Sequence, residues 1–149
     1  MEVNRSPELE ERARESHAAF EARDNDWFRR SLGEGQVIAF GTAPDEVFRG
    51  REAILGLTVD EIAELNERAG IKLEIDETEA YEAGDAGWIL THAHFVLSDG
   101  SSVPTRSLTV VFREDGEWKT GISGISVVVG NDVLTPGSPI ATRAGAAAG

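Results

Sequence analysis

Apolar positions along this chain recur at two spacings, and the change from one to the other divides it. Leu9, Ala13, Ser16 or His17, and Phe20 follow one another every three to four residues. That spacing predicts a helix with one narrow apolar stripe. Ser6 suits its N-cap, Pro7 its first position, and Glu8, Glu10 and Glu11 favour the positive end of its dipole. Asp24-Asn25-Asp26 breaks this helix and caps a short second one carrying Trp27, Phe28 and Leu32, with Gly33 and Gly35 ending it. Residues 37–40 form a short apolar run, read as a strand. Gly41-Thr42-Ala43-Pro44-Asp45 is turn chemistry, and residues 46–49 return as the second strand of a hairpin. Residues 51–69 are helical with an interruption at Gly56 and Leu57. Thr58-Val59-Asp60-Glu61 has the form of a capping box, which starts a longer helix there, and Gly70 suits its C-terminal cap.

Past residue 70 the spacing becomes two. Ile71, Leu73 and Ile75 alternate with Lys72, Glu74 and Asp76, as in a strand with one wet face. Gly84-Asp85, Ser98-Asp99-Gly100 and Glu114-Asp115-Gly116 then separate apolar stretches at 88–97, 103–113 and 118–129. The Asp-Gly pairs are strong hairpin signals. The order is two helices, a hairpin, helices, then a four-strand meander. Helices and strands are segregated, so the class is α+β. Composition shifts near residue 131. Residues 1–130 are read as one domain. Residues 131–149, with Pro136, Gly137, Pro139 and an Ala/Gly-rich end, are read as a flexible C-terminal tail. Docking of residues 133–140 is the alternative.

Charge narrows the partners. The 149 residues carry 27 acids and 14 bases, a net charge of −13. That balance argues against nucleic acid and against anionic membrane surfaces. Zero cysteines exclude disulfides, thiolate chemistry and Cys-ligated zinc. With 40% apolar and 28% charged residues the chain reads as a soluble globular protein. No stretch approaches the ~20 apolar residues of a membrane span. Met1-Glu2-Val3-Asn4-Arg5 leads into no hydrophobic run, so the expected location is cytoplasmic.

Few residues bear chemistry. His92 and His94 share one face of a strand, but no third ligand stands at useful spacing. They are read as structural, at an interface or rim, rather than as a metal pair or a general base; no metal and no cofactor is expected. His17 faces either the mouth of the fold or solvent beside Glu21, its i+4 neighbour. Arg106 is the only charge between residues 101 and 112. A charge on a strand face is costly unless paired, so it meets a carboxylate or binds a weakly acidic ligand. Phe20, Trp27, Phe28, Phe40, Phe48 and Trp118 are the aromatic stock around the presumed centre. They either line an apolar cavity or fill it. These six and Arg106 make up the candidate pocket.

The order of elements, together with particular residues, resembles the nuclear transport factor 2-like superfamily, which includes ketosteroid isomerase and the SnoaL-like polyketide cyclases. The residues are Gly-Thr-Ala-Pro-Asp-Glu-Val-Phe-Arg-Gly-Arg-Glu-Ala-Ile at 41–54, Gly-Asp-Ala-Gly-Trp at 84–88, and Asp-Gly at 99–100 leading to Pro104-Thr105-Arg106. Arg-Glu-Asp-Gly-Glu-Trp-Lys at 113–119, leading to Ile125-Ser126, completes them. Together they look like a SnoaL-like domain. The resemblance runs from about residue 8 to 131. It implies a cone-shaped, strongly bent antiparallel sheet wrapped around the N-terminal helices, the cystatin-like fold. It also implies a pocket at the open end and frequent dimers. It does not carry isomerase chemistry across. Related domains often have a histidine where this chain has Gly124. The isomerases' base would fall at Ala39-Phe40-Gly41, their tyrosine near Ser16, and their second acid near Ser107 or Leu108. None of these positions supplies a base or an acidic oxyanion donor.

Three functions from different classes follow: a domain holding a small apolar ligand, a non-catalytic association module, and an isomerase, cyclase or hydrolase acting on a small apolar substrate. Charge placement adds a partner. Residues 87–97 and 120–130 contain no Asp, Glu, Lys or Arg, and residues 101–112 contain only Arg106. A sheet with one solvated face would alternate apolar with charged residues. Both faces of these strands therefore need cover, and a second copy of the chain supplies it most economically. Glu placed at Thr109 or at Ile125 is expected to split the dimer if that face lies outward and to unfold the protein if it lies inward. A proton-transfer assay on a β,γ-unsaturated ketosteroid is expected to show no rate above background. Turnover abolished by changing one acid would contradict that reading.

Overall fold

The computed structural model describes residues 1–130; the proposed tail, 131–149, lies outside the described residues. In chain order the elements are β1 (Asn4–Arg5), α1 (Pro7–Glu21), α2 (Asn25–Ser31), β2 (Ile38–Phe40), β3 (Val47–Arg49), α3 (Arg51–Leu55), α4 (Val59–Ala69), β4 (Lys72–Ala83), β5 (Ala86–Val96), β6 (Ser102–Glu114) and β7 (Glu117–Val127). One sheet joins all seven strands in the order β1-β4-β5-β6-β7-β2-β3. The sheet is curled and unclosed, and the class is α+β as the segregated elements predict. No described helix is long and apolar enough to cross a membrane.

Local chemistry explains most of the boundaries. The Ser6 side chain accepts from the backbone N–H of Leu9, and Pro7 opens α1. Asp24 caps α2 through the N–H of Trp27. The helical stretch at 51–69 is broken at Gly56, and Thr58 and Glu61 form a reciprocal capping box at the head of α4. Asp115 and Gly116 have φ values of 51° and 82°. Positive φ at both central residues is what a two-residue type I′ hairpin requires, which is why Asp-Gly stands there.

The meander folds as expected, with three additions. β1 pairs with β4 through Asn4↔Glu82 and Arg5↔Tyr81. β4 runs on past Asp76 to Ala83, with a bulge between Ile75 and Glu77. The hairpin β2–β3 extends the sheet because β2 runs parallel to β7, through Ile38↔Ile122 and Phe40↔Gly124.

Cross-strand register separates the two faces. Leu9 is fully buried against Ala80, Ile89, Val111 and Trp118, so these residues define the inner face, under α1. Burying a leucine this completely contributes about 2 kcal/mol. Thr109 pairs with Ile89, and Ile125 with Ser107, so both lie on this inner face. The outer face carries three successive rows. Tyr81, Trp88, Val110, Ile122 and Ile38 form the first. Glu79, Leu90, Leu108, Gly124, Phe40 and Val47 form the second. Glu77, His92, Arg106 and Ser126 form the third. The Phe40 ring lies directly over Gly124, where an added Cβ would sit 1.9 Å from a ring carbon.

The bulge in β4 has a local effect. It brings Asp76 beside Glu74, and both flank His94. His94 Nδ1 is 2.9 Å from Asp76 and Nε2 is 3.3 Å from Glu74. The hydrogen bond that His94 donates to Asp76 is the largest cause raising the His94 pKa above the ordinary histidine value. The added stability is therefore fully present below the unfolded-state pKa and lost as pH rises through the folded one. NMR titration of the imidazole should place its midpoint above the ordinary value, and Asp76→Asn should bring it down. At the head of α4, Thr58→Ala should cost about 1 kcal/mol in denaturant unfolding. An unchanged midpoint would deny the capping box a role in stability.

Candidate functional site

The middle turns of α1 set one wall of a small cavity. Ala13 and His17 are four residues apart, so they occupy one face of the helix. Opposite them, Thr78 on β4 and Thr91 on β5 are direct cross-strand partners on the inner face, their hydroxyls 3.3 Å apart. With Arg14 and Ile75 these residues line a cavity of about 160 Å³. That volume is comparable to the roughly 150 Å³ of an apolar protein cavity that takes benzene. His17 Nε2 stands 3.2 Å from Glu21, and Arg14 pairs with Glu11 at 2.7 Å. His17 thus has both of its expected neighbours: it borders the mouth and meets its i+4 glutamate. Among the described residues no carboxylate lines this cavity, and no three His, Asp or Glu side chains are grouped to hold a metal.

A second, wider cleft of about 860 Å³ lies between α1, α2 and the β6–β7 turn. Trp27 and Trp118 form part of its walls. Arg12 reaches across it, donating from Nη2 to the Ser31 carbonyl and to Thr120 Oγ1, each at 3.1 Å. Its guanidinium lies 5.2 Å from the centre of the Trp27 ring. Burial pushes the Arg12 pKa below the usual arginine value, because the charged form loses water.

The seven candidate pocket residues are not gathered in one place. Trp27 and Trp118 share the wide cleft; Trp118 is only 9% exposed and belongs to the core. Phe28 packs edge-on to Trp27 at 5.0 Å. Phe20 on α1 and Phe48 on β3 are half-buried and line neither cavity. Phe40 and Arg106 are on the outer face, away from α1. Arg106 is exposed, stands across from His92, and has no carboxylate within 4.0 Å among the described residues. The reason is parity: alternation shows which residues share a face, and only tertiary packing decides which face meets the helices. The residues the sequence reading missed are Ala13, Arg14, Ile75, Thr78 and Thr91 at the small cavity and Arg12 at the cleft. Thr78 could have been found from the continued run of β4, had the bulge not broken the alternation.

Comparison with known proteins places this architecture. A search of curated proteins finds no match. Solved structures match well. An NTF2-like protein of unknown function from Pseudomonas putida superposes with a TM-score of 0.63 at 17% identity, covering 83% of this chain and 89% of that one. An NTF2-like protein with a cystatin-like fold from Novosphingobium aromaticivorans gives 0.57 at 14% identity, over 85% and 79% of the two chains. A protein from Shewanella frigidimarina, provisionally described as a ketosteroid isomerase, gives 0.59 at 20% identity, over 74% and 87%. At these identities the likeness establishes the fold. Residues 9–130 match the family model of the SnoaL-like domain, most of the chain. By that match, and with a curled sheet and helices arranged as described, the chain belongs to the SnoaL-like domain family.

Proposed function

We propose that this SnoaL-like domain holds a small, largely apolar molecule in the cavity between α1 and the strands β4 and β5. The observation that carries the reading is the convergence of His17, Thr78 and Thr91 on a cavity floored by Ala13 and Ile75. Apolar walls with a few fixed polar groups are the usual make-up of a ligand site. The fold is used for ligand binding and for isomerase-type chemistry, and this site favours the first. Proton transfer calls for a base and an acid placed together. Among the described residues His17 and Arg14 are the titratable groups on the lining.

The outer face favours a companion reading, pairing of two copies. Leu108, Ile122 and Phe40 are 43%, 39% and 40% exposed there. Charge is distributed so that a two-fold suits it. Glu77 and Glu79 lie on β4 toward one edge, Arg106 on the central strand β6 and Arg49 on the opposite edge strand β3, none of them in an ion pair among the described residues. A two-fold axis sets the acidic side of one copy against the basic side of its partner. The location that fits both readings is the cytoplasm.

Native mass spectrometry of protein taken from its expression host should show a bound small molecule. Thr91→Val should weaken retention by about tenfold, the value of one lost hydrogen bond. A bare chain that also shows no His17 shift with any apolar probe would remove the proposal. Light scattering at micromolar concentration should give about twice the 16.0 kDa chain mass. Leu108→Glu should yield a folded monomer, whereas Thr109→Glu, inward, should cost about 3 kcal/mol. A wild-type monomer would refute the pairing.

A further inference from the structure

Building on the ligand site proposed above, we infer that the cavity between α1, β4 and β5 selects a molecule of one six-membered ring carrying a neutral hydroxyl group. That hydroxyl donates to His17 and accepts from the Thr78–Thr91 pair.

The two threonines supply the donor. Thr78 and Thr91 are cross-strand partners, and both side chains stand on the inner face under α1, on the cavity lining. Their hydroxyls lie 3.3 Å apart, and among the described residues each is the other's hydrogen-bond partner. One such bond uses one of the two hydroxyl protons. The second O–H is left to donate to whatever enters the cavity.

His17 supplies the acceptor. It lines the same cavity from the helix side, with its side chain 34% exposed. Its Nε2 stands 3.2 Å from Glu21. A carboxylate at that nitrogen holds the ring proton there, so the neutral imidazole presents Nδ1 as an acceptor. One donor and one acceptor on facing walls match a hydroxyl group, which gives one proton and takes another. An ether offers lone pairs alone, and a hydrocarbon offers neither.

Charge and size narrow the rest of the ligand. The lining cation, Arg14, is already held by Glu11, through Nε at 2.8 Å and Nη2 at 2.7 Å. Among the described residues no acid lines the cavity. A charged ligand would bring in a charge that nothing on the lining answers. Ala13 and Ile75 give the ring apolar walls, and the volume of about 160 Å³ is that of a site for one ring. A space of that size brings both walls within reach of one small ligand.

The test titrates the full chain at neutral pH with phenol, anisole and toluene, which share a ring and differ in the group upon it. The readout is the His17 ring resonance in NMR, assigned against those of His92 and His94 with His17→Phe. Phenol should move it and bind about tenfold more tightly than anisole or toluene. Thr78→Val with Thr91→Val removes both hydroxyls and keeps β-branched side chains on the strands. It should bring phenol down to the level of toluene and leave toluene unchanged, which a loss of packing would not do. His17→Phe, followed through the Thr91 methyl resonance, should do the same; it frees only Glu21, which is 64% exposed and returns to water. Toluene or anisole binding as tightly as phenol would overturn this inference and leave the cavity standing as a ligand site. A phenol preference that survives both variants would also overturn it. A His17 signal unmoved by all three probes would remove both readings.

Discussion

Five successive carbonyls at the end of α2, from Arg29 to Gly33, accept hydrogen bonds from cations on three other elements. Arg12 of α1 takes Ser31, Lys119 of β7 takes Arg30, and Arg51 of α3 takes Arg29, Leu32 and Gly33. These are the groups a helix leaves unsatisfied at its C-terminus, where its dipole places about half a negative charge. A helix of seven residues would not persist alone in water. Here it is held by cations whose own elements it fixes in return. Just beyond it, Gly33 donates to the Thr120 carbonyl and Leu32 bridges to Thr120, so the chain enters the sheet edge alongside β7. The parallel placement of β2 follows from that entry, and with it the position of the whole β2–β3 hairpin.

The same clamp accounts for both concavities. α1 must cross the inner face so that Leu9 reaches the core and Arg12 reaches α2. Residues on either side of that crossing then face different spaces. Ala13 and His17 look toward β4 and β5, and Arg12 toward Trp27 and Trp118. One helix therefore divides the inner face into a small, mostly apolar cavity and a wide, charged cleft.

Much of this was legible in the sequence, and for local reasons. Ser6 with Pro7, Thr58 with Glu61, and Asp115 with Gly116 each fix a boundary through chemistry confined to a few residues. The segregated order of helices and strands fixed the class, and the motifs around residues 41–54 and 113–119 carried the family resemblance. What stayed hidden was non-local. β1 is two residues long and exists only because β4 is there to pair with it. The second half of β4 is rich in glutamate because its outer side is wet, and the bulge at Asp76 destroys the alternation that would have announced it. Arg106 and Phe40 were assigned to the pocket, but strand parity carries no sign for which face is inside. Arg12 looked like one more charge on a polar helix; its role depends on a helix end 19 residues away.

The contact between Phe40 and Gly124 ties two distant positions into a single unit of change. The ring occupies the volume that any side chain at 124 would need, at 1.9 Å from its first carbon. A histidine at 124 would need the Phe40 ring turned away from β7. Across relatives the two sites should exchange bulk as a pair, large with small or small with large, and rarely as large with large. A side chain added at 124 alone would displace the Phe40 ring while leaving the backbone pairing of β2 with β7 in place.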